Sequence, residues 1–374
     1  MRAVWYERQG LAQEVLQYGE MPTPVPARGE VRVRLLASAV NPADVNRRAG
    51  RLHAMDFPRI IPNSDGAGVI DAVGEGVSAA RVGNRVWVYF AQRGRAFGTA
   101  AEYVCLPEEL ASELPAQMSA EQGACLGIPC VTAYCALFDS EPIKGRTVLV
   151  TGGAGAVGHY AIQLAKWGGA RVVATVSSSA KAEHALDAGA DVVIDYTQAS
   201  AGDQLQQAAV DGVQRIVDVD LVANSQLVLG AAHDNAVWVS YAIGSQATAA
   251  LPMASIIRKN LRLQGLYLSG LQASRRREAQ HCALAAGSAA RAPCGGQRVF
   301  SAANRPGPSG GGSQGQSRHG GDSLRSGVAS LPALSIHKAG FFSVPRPVSR
   351  AFLKGCYCAP NAVQWGSDCR SCTC

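Results

Sequence analysis

Residues 152–158 read GGAGAVG, and four glycines in so short a span form the pattern in this 374-residue chain best suited to holding a reactive group. A glycine where a strand stops admits backbone dihedrals closed to residues with a Cβ. One that faces a ligand lets a pyrophosphate reach the free N–H groups of a helix N-terminus. Gly152 and Gly155 suit those two roles, and Gly158, one turn on, would let a helix pack closely on its strand. Gly153, Ala154, Ala156 and Val157 complete the candidate phosphate loop. A ligand-free glycine loop has the same letters, so context must decide. An apolar run at 148–150 precedes the loop, Val157, Ala161, Ile162, Leu164 and Ala165 follow at helical spacing, and a second β-rich run lies at 171–176. Strand, turn, helix and strand at βαβ spacing point to dinucleotide binding.

The tip of that second strand bears on which dinucleotide. An NAD site usually carries Asp or Glu there for the ribose hydroxyls. Here the tip is Ser177, Ser178 and Ser179 with Lys181 next. Hydroxyls and an ammonium suit a 2′-phosphate, and no carboxylate repels it, so the reading favours NADPH. Ser177 is equally placed to cap the following helix, and Lys181 to lie on a solvated face.

These residues need a frame. From about residue 120 strands and helices alternate: strands at 171–176, 191–195, 215–219 and 237–243, helices at 180–188 and 226–232, and a further strand at 261–268. Ser119 is placed to cap a helix with Glu121 and Gln122 in its first turn, and a further helical run at 131–138 follows GIPC. Alternation at this spacing implies a parallel sheet covered on both faces, with ligand at the carboxyl ends of the strands. Residues 1–120 read instead as short β runs at 2–6, 30–39, 66–73, 85–89 and 100–105, separated by Pro and Gly clusters, which suggests a compact, partly open barrel. Two punctuated segments stand out there, VNPADVNRRAG at 40–50 and IPNSDGAG at 61–68.

The net charge of +7 is not shared evenly. Residues 275–374 hold 13 Lys and Arg against 3 Asp and Glu, leaving 22 against 25 in the first 274. Cysteines also divide. Cys105, Cys125, Cys130 and Cys135 sit in apolar context as reduced thiols would, and Cys356, Cys358, Cys369, Cys372 and Cys374 crowd the end. With no signal-peptide pattern and no run of 18 apolar residues, the expectation is a cytoplasmic protein that makes no membrane contact. After about residue 274 an Arg-, Gly- and Ser-rich composition replaces periodicity, as a reading-frame change in a GC-rich gene would produce. Its dispersed charges and scarce aromatics argue against a specific nucleic-acid module, and its cysteines lack the second regular CxxC of a zinc site.

NPADVNRRAG at 41–50, SDGAGVIDAVGEGV at 64–77, GNRVW at 83–87, GTAAEYV at 98–104, GIPCVTAYCAL at 127–137 and VLVTGGAGAVGHYAIQLAK at 148–166 occur in one order. With these pieces the chain, to about residue 274, resembles the medium-chain dehydrogenase/reductase superfamily and within it the zinc-independent NADPH:quinone oxidoreductases. The resemblance implies an α/β protein: a GroES-like β-barrel domain at 1–122, a Rossmann doubly wound parallel-sheet domain at 123–265, and an irregular basic C-terminal region at 266–374. It also implies a homodimer that reduces a small quinone or enone. The superfamily's zinc enzymes place Cys and a His-Glu pair where this chain has Asn41, Ser64 and Asp65, so no catalytic zinc is expected. Asn41 resembles the nicotinamide-pocket asparagine and Thr132 the residue contacting the nicotinamide amide, while Tyr196 would lie along the adenosine phosphate. Asp44 is a catalytic candidate or a turn carboxylate, and Arg48 and His53 are candidates for the mouth of the site. Asn46 and Leu52 stand where better-known relatives carry tyrosines, so a differently shaped substrate pocket is expected. An NADPH-binding protein without turnover is the alternative from another class.

Overall fold

The computed structural model describes residues 1–244, 246, 248–272 and 279, together with the backbone of a short antiparallel pair, Ser335–His337 and Phe341–Ser343. The chain starts with β1 (Arg2–Trp5), α1 (Ala12–Val15) and β2 (Gln17–Glu20), the two strands forming an antiparallel pair. It continues through β3 (Glu30–Ala39), α2 (Pro42–Arg48), β4 (Asp65–Val73), β5 (Arg85–Val88), β6 (Tyr103–Pro107) and β7 (Ala111–Glu113). These last five strands form an antiparallel sheet in the order β6-β3-β4-β5-β7. In β3, EVRVRLLASA alternates as a half-buried strand must, with Val31, Val33, Leu35 and Ala37 inward. Ile70, Val86, Val104 and Leu106 meet them in the barrel interior.

The next element, α3 (Ala120–Phe138), joins the two halves. Ser119 caps it as expected: its hydroxyl accepts from the Gln122 N–H at 3.2 Å and Gln122 Oε1 accepts from the Ser119 N–H at 2.8 Å. The expected separate run at 131–138 is instead the second limb of this helix. The axis breaks at Gly127 (φ −34°, ψ −121°), and Pro129, which has no N–H to donate, sits just beyond.

The remainder is β8 (Thr147–Val150), α4 (Ala156–Trp167), β9 (Arg171–Val176), α5 (Ser179–Asp187), β10 (Val192–Asp195), α6 (Ala201–Ala208), β11 (Val213–Asp218), α7 (Leu221–Ala231), β12 (Ala232–Ser240), α8 (Met253–Arg258) and β13 (Arg262–Gly265). The strands form one parallel sheet in the order β10-β9-β8-β11-β12-β13. That is the doubly wound order, and its reversal point lies between β8 and β11. One core runs from Ala67, Trp87 and Leu114 through α3 to Val148, Val150, Val172 and Ala174, so the two sheets share apolar cover. The opposite face of the parallel sheet packs Leu149, Val173, Ile216 and Trp238 against Leu205, Val228 and Leu229. Buried Arg215 donates to the carbonyls of Ala136 (3.0 Å) and Glu141 (3.1 Å), tying the end of α3 to β11.

The fold is α/β, a β-barrel joined to a Rossmann sheet. The irregular region expected after residue 274 lies largely outside the described residues. Ala279, however, is helical and fully buried against the shared core.

Candidate active site

The glycine loop leaves β8 at its carboxyl end. Gly152 has φ +64°, a left-handed conformation that a Cβ disfavours. Gly153 donates its N–H to Thr175 O on the neighbouring strand at 2.9 Å, and Gly155 is the N-cap of α4. A Cβ on Gly158 would lie 2.3 Å from Gly152 O and 3.0 Å from Gly153 Cα, so the first turn of α4 can rest on the loop only because residue 158 has no side chain. The first-turn amides of α4, from Ala156 to Gly158, have no carbonyl one turn back to bond and are available to an anion.

Asp218, at the end of β11, braces this loop and was missed in the sequence, where it is one acidic letter in VDVD. Its Oδ1 accepts from Thr151 Oγ1 (2.6 Å) and Asn224 Nδ2 (2.7 Å), and its Oδ2 from Trp238 Nε1 (2.7 Å). Thr151 in turn accepts from the Val219 N–H at 3.0 Å.

At the tip of β9, Lys181 Nζ donates to Ser177 Oγ at 2.7 Å. The capping role considered for Ser177 belongs to Ser178, whose hydroxyl accepts from the Lys181 N–H. Tyr196 follows β10, half exposed, with its N–H bonded to Val176 O at 2.9 Å. Ser177, Lys181 and Tyr196 therefore share one edge of the sheet, beside the loop.

The second half of the site lies in the barrel. Asn41 is the N-cap of α2, and its backbone N–H donates to Asp44 Oδ2 at 2.8 Å. The other oxygen of Asp44 accepts from Ser64 Oγ at 3.1 Å. Burial pushes the Asp44 carboxyl up to about 6, against the pull of those bonds and of Arg47. Both Asp44 oxygens are thus engaged, by the cap of α2 and by Ser64.

Asn41 Nδ2 donates to Asp65 Oδ2 at 2.7 Å, and the same oxygen accepts from the Ile128 N–H at 2.8 Å. Asp65 is fully buried. Burial raises its carboxyl to about 8, with the Asn41 and Ile128 hydrogen bonds and the Phe90 backbone opposing and the Asp44 charge adding to the rise. Asn63 (φ +73°) and Phe90 (φ +56°) hold left-handed backbone nearby, each at a cost of about 1–3 kcal/mol for a residue with a side chain. Thr132, just past the α3 break, donates its hydroxyl to Ile128 O at 2.7 Å.

One expectation, that Arg48 lines the mouth, is corrected. Arg48 is buried and donates to Gly10 O, so it does not line a mouth. His53, half exposed, bonds the Ala54 carbonyl beside Asp56. Among the described residues no group of three or more His, Cys, Asp or Glu could hold a metal ion, and no helix is long and apolar enough to cross a membrane.

Residues 27–116 match the alcohol dehydrogenase GroES-like domain family and residues 156–284 the zinc-binding dehydrogenase family. The second match runs ten residues past the point where periodicity fades. The chain is 35% identical to a tomato (Solanum lycopersicum) 2-methylene-furan-3-one reductase over 205 residues, 53% of each protein, so it spans about half of that relative. It is 32% identical to the Rattus norvegicus quinone oxidoreductase over 229 residues, 61% of this chain and 68% of the rat protein. The fold superposes on Escherichia coli quinone oxidoreductase complexed with NADPH with a TM-score of 0.66 at 26% identity, covering 78% of this chain and 90% of that one. Matched at that identity over more than two thirds of the rat protein, the chain belongs to the quinone oxidoreductase family of the medium-chain dehydrogenase/reductase superfamily.

Proposed function

We propose that the protein is an NADPH-dependent reductase that passes hydride to a small quinone or activated enone and needs no metal. The observation that carries this is the pairing of a glycine loop, closed to a Cβ at Gly158, with a Ser177–Lys181 strand tip that offers a hydroxyl and an ammonium and no carboxylate. The amides of residues 156–158 would hold the pyrophosphate, Ser177, Ser178 and Lys181 the 2′-phosphate, Tyr196 the adenosine side and Thr132 the nicotinamide amide. When bound, NADPH supplies the hydride, which is the hard part of the chemistry.

The chain's own residues position and polarise. Asn41 has one amide hydrogen engaged by Asp65 and a second to offer the acceptor oxygen, which gains negative charge as hydride arrives on carbon. A proton from water on that oxygen completes a two-electron reduction. The absence of metal is supported by the donor set: Asn41, Ser64 and a buried, hydrogen-bonded Asp65 offer neither thiolate nor imidazole. Cys105, Cys125, Cys130 and Cys135 form no disulfide among the described residues, which suits a reducing cytoplasm. The homodimer belongs to the same reading and is supported by the edge of the parallel sheet at β13, beside which no further strand lies among the described residues.

The test follows NADPH oxidation at 340 nm by the full-length protein with an ortho-quinone and an enone, beside NADPH and NADH titrations of its tryptophan fluorescence. The reading expects turnover and a preference for NADPH. NADPH binding without consumption by any acceptor would replace it with the non-catalytic alternative.

A further inference from the structure

Three segments far apart in sequence meet at the Asp65 carboxyl: the cap of α2, the first residue of β4, and the break in α3. Oδ2 accepts two N–H groups, from the Asn41 side chain and from Ile128. The fit around it is exclusive, because a Cβ at Gly127 would lie 2.2 Å from Asp65 Cγ. The backbone at Asp65 is fixed too. Its carbonyl accepts from Thr99 Oγ1 at 2.6 Å, and Thr99 is linked through Ser38 Oγ (2.7 Å) to Asn63 Nδ2 (3.0 Å). The remaining oxygen, Oδ1, is buried with no hydrogen-bond partner among the described residues. A buried carboxyl group is costly where an apolar side chain would fill the space. Helix continuity is also interrupted at this point, so the arrangement calls for a role beyond packing.

We propose that Asp65 is the positioning residue of the reductase site, holding the Asn41 carboxamide so that its second amide hydrogen meets the acceptor oxygen. The proposal rests on the reductase reading above. Electrostatics agree with it. Asp65 remains mostly neutral at pH 7, so it orients Asn41 without setting a negative charge beside an oxygen that is itself becoming negative. Ionisation would reverse that advantage.

The experiment compares the full-length wild type with Asp65→Leu, Asp65→Asn, Asn41→Ala and the Asp65→Leu/Asn41→Ala double variant. It measures kcat and KM with an ortho-quinone, NADPH affinity by tryptophan fluorescence, and Tm. Leucine keeps the branching at Cγ and removes the acceptor, so kcat should fall by about 10- to 100-fold while NADPH affinity stays within about threefold. Asparagine still accepts both N–H groups and should restore kcat. Because Asp65 acts through Asn41, the leucine change should add almost nothing in the Asn41→Ala background. Losses that add in the double variant, or an unchanged kcat in Asp65→Leu, would overturn the proposal alone. Absence of turnover by the wild type with quinones and enones would overturn the reductase reading and this proposal with it.

If Asp65→Leu fails to fold, the pH profile of Asp65→Asn decides. The titratable groups facing Asp65 are Asp44 on α2 and Tyr160 on α4; beyond them, Arg47 lies beside Asp44, and Cys125 and Cys130 on α3 beside Tyr160. Asp44 titrates near 6 and the Cys130 thiol only near 12, while Tyr160 is held well above its ordinary value. A fall in wild-type kcat above about pH 8 should therefore vanish in Asp65→Asn. The same alkaline fall in both proteins would overturn the proposal.

Discussion

Ser177 Oγ and Lys181 Nζ are 2.7 Å apart at the tip of β9, and the proposed reading gives this pair the 2′-phosphate of NADPH as its anionic partner. Replacing Ser177 with Asp would put a carboxylate where a phosphate is expected. It should lower NADPH affinity by roughly 10- to 100-fold, the scale of one or two charge-assisted hydrogen bonds. NADH affinity should hold or improve, and fluorescence titration of the two cofactors reads the ratio. A second residue-scale prediction concerns stability. The Asp65 carboxyl is raised from the ordinary carboxylate range to about 8, so between about pH 4 and pH 8 the native state binds more protons than the unfolded chain. Stability then falls as pH rises through that window. In Asp65→Asn this loss is absent, so its Tm should exceed the wild type's by a margin that is smallest near pH 4, grows to about pH 8 and levels beyond. A margin that shrinks with rising pH would show that Asp65 is ionised in the fold. The closeness of Ser177 and Lys181 was legible in the sequence because it is local, four residues on one turn. Asp65 was not, because its role depends on Asn41 and Ile128, 24 and 63 residues away in the chain.

At the scale of elements, α4 owes its place to a missing side chain. Gly158→Ala would bring a Cβ to 2.3 Å from a backbone oxygen, which cannot move aside, so the helix must lift from the loop. Forced packing of this kind typically costs about 1–3 kcal/mol, and the lifted amides would also lose their aim at the pyrophosphate. Gly202→Ala on α6 is the control, since its Cβ would meet nothing within 4 Å. Calorimetry and NADPH titration should show both stability and affinity falling in the first variant and far smaller changes in the second. The β8–α4–β9 unit was readable because its strands and helix are each long enough to show a period. The two-limbed α3 was not. GIPC reads as a stop, yet packing between the two sheets carries the helix through it and uses the freed Ile128 amide to bind a carboxyl. Short elements such as β2, β7 and α8 span too few residues for periodicity to speak.

For the whole molecule, alternation of strands and helices foretold the doubly wound sheet, since each apolar strand needs cover on both faces. What it could not show is how that sheet ends. At β13 the described residues leave a strand edge whose backbone groups have no further strand beside them. Around it Ile243, Met253, Ile257, Leu263 and Tyr267 are exposed, from 37% at Leu263 to 76% at Tyr267. An apolar strand edge left open invites pairing with another chain, and a second copy joined by a twofold axis is the commonest solution. The proposed dimer would continue the sheet across that axis, its two β13 edge strands running antiparallel. Light scattering on the full-length protein at micromolar concentration should then give twice the 39.0 kDa chain mass. Leu263→Lys with Ile257→Lys should shift it to the monomer and leave NADPH affinity unchanged, because the glycine loop and Ser177 lie toward the opposite edge of the sheet, on β8 and β9. A wild-type protein that scatters as a 39.0 kDa particle would mean that this edge is covered from within the chain, and the double lysine variant should then lose solubility or stability in place of a partner.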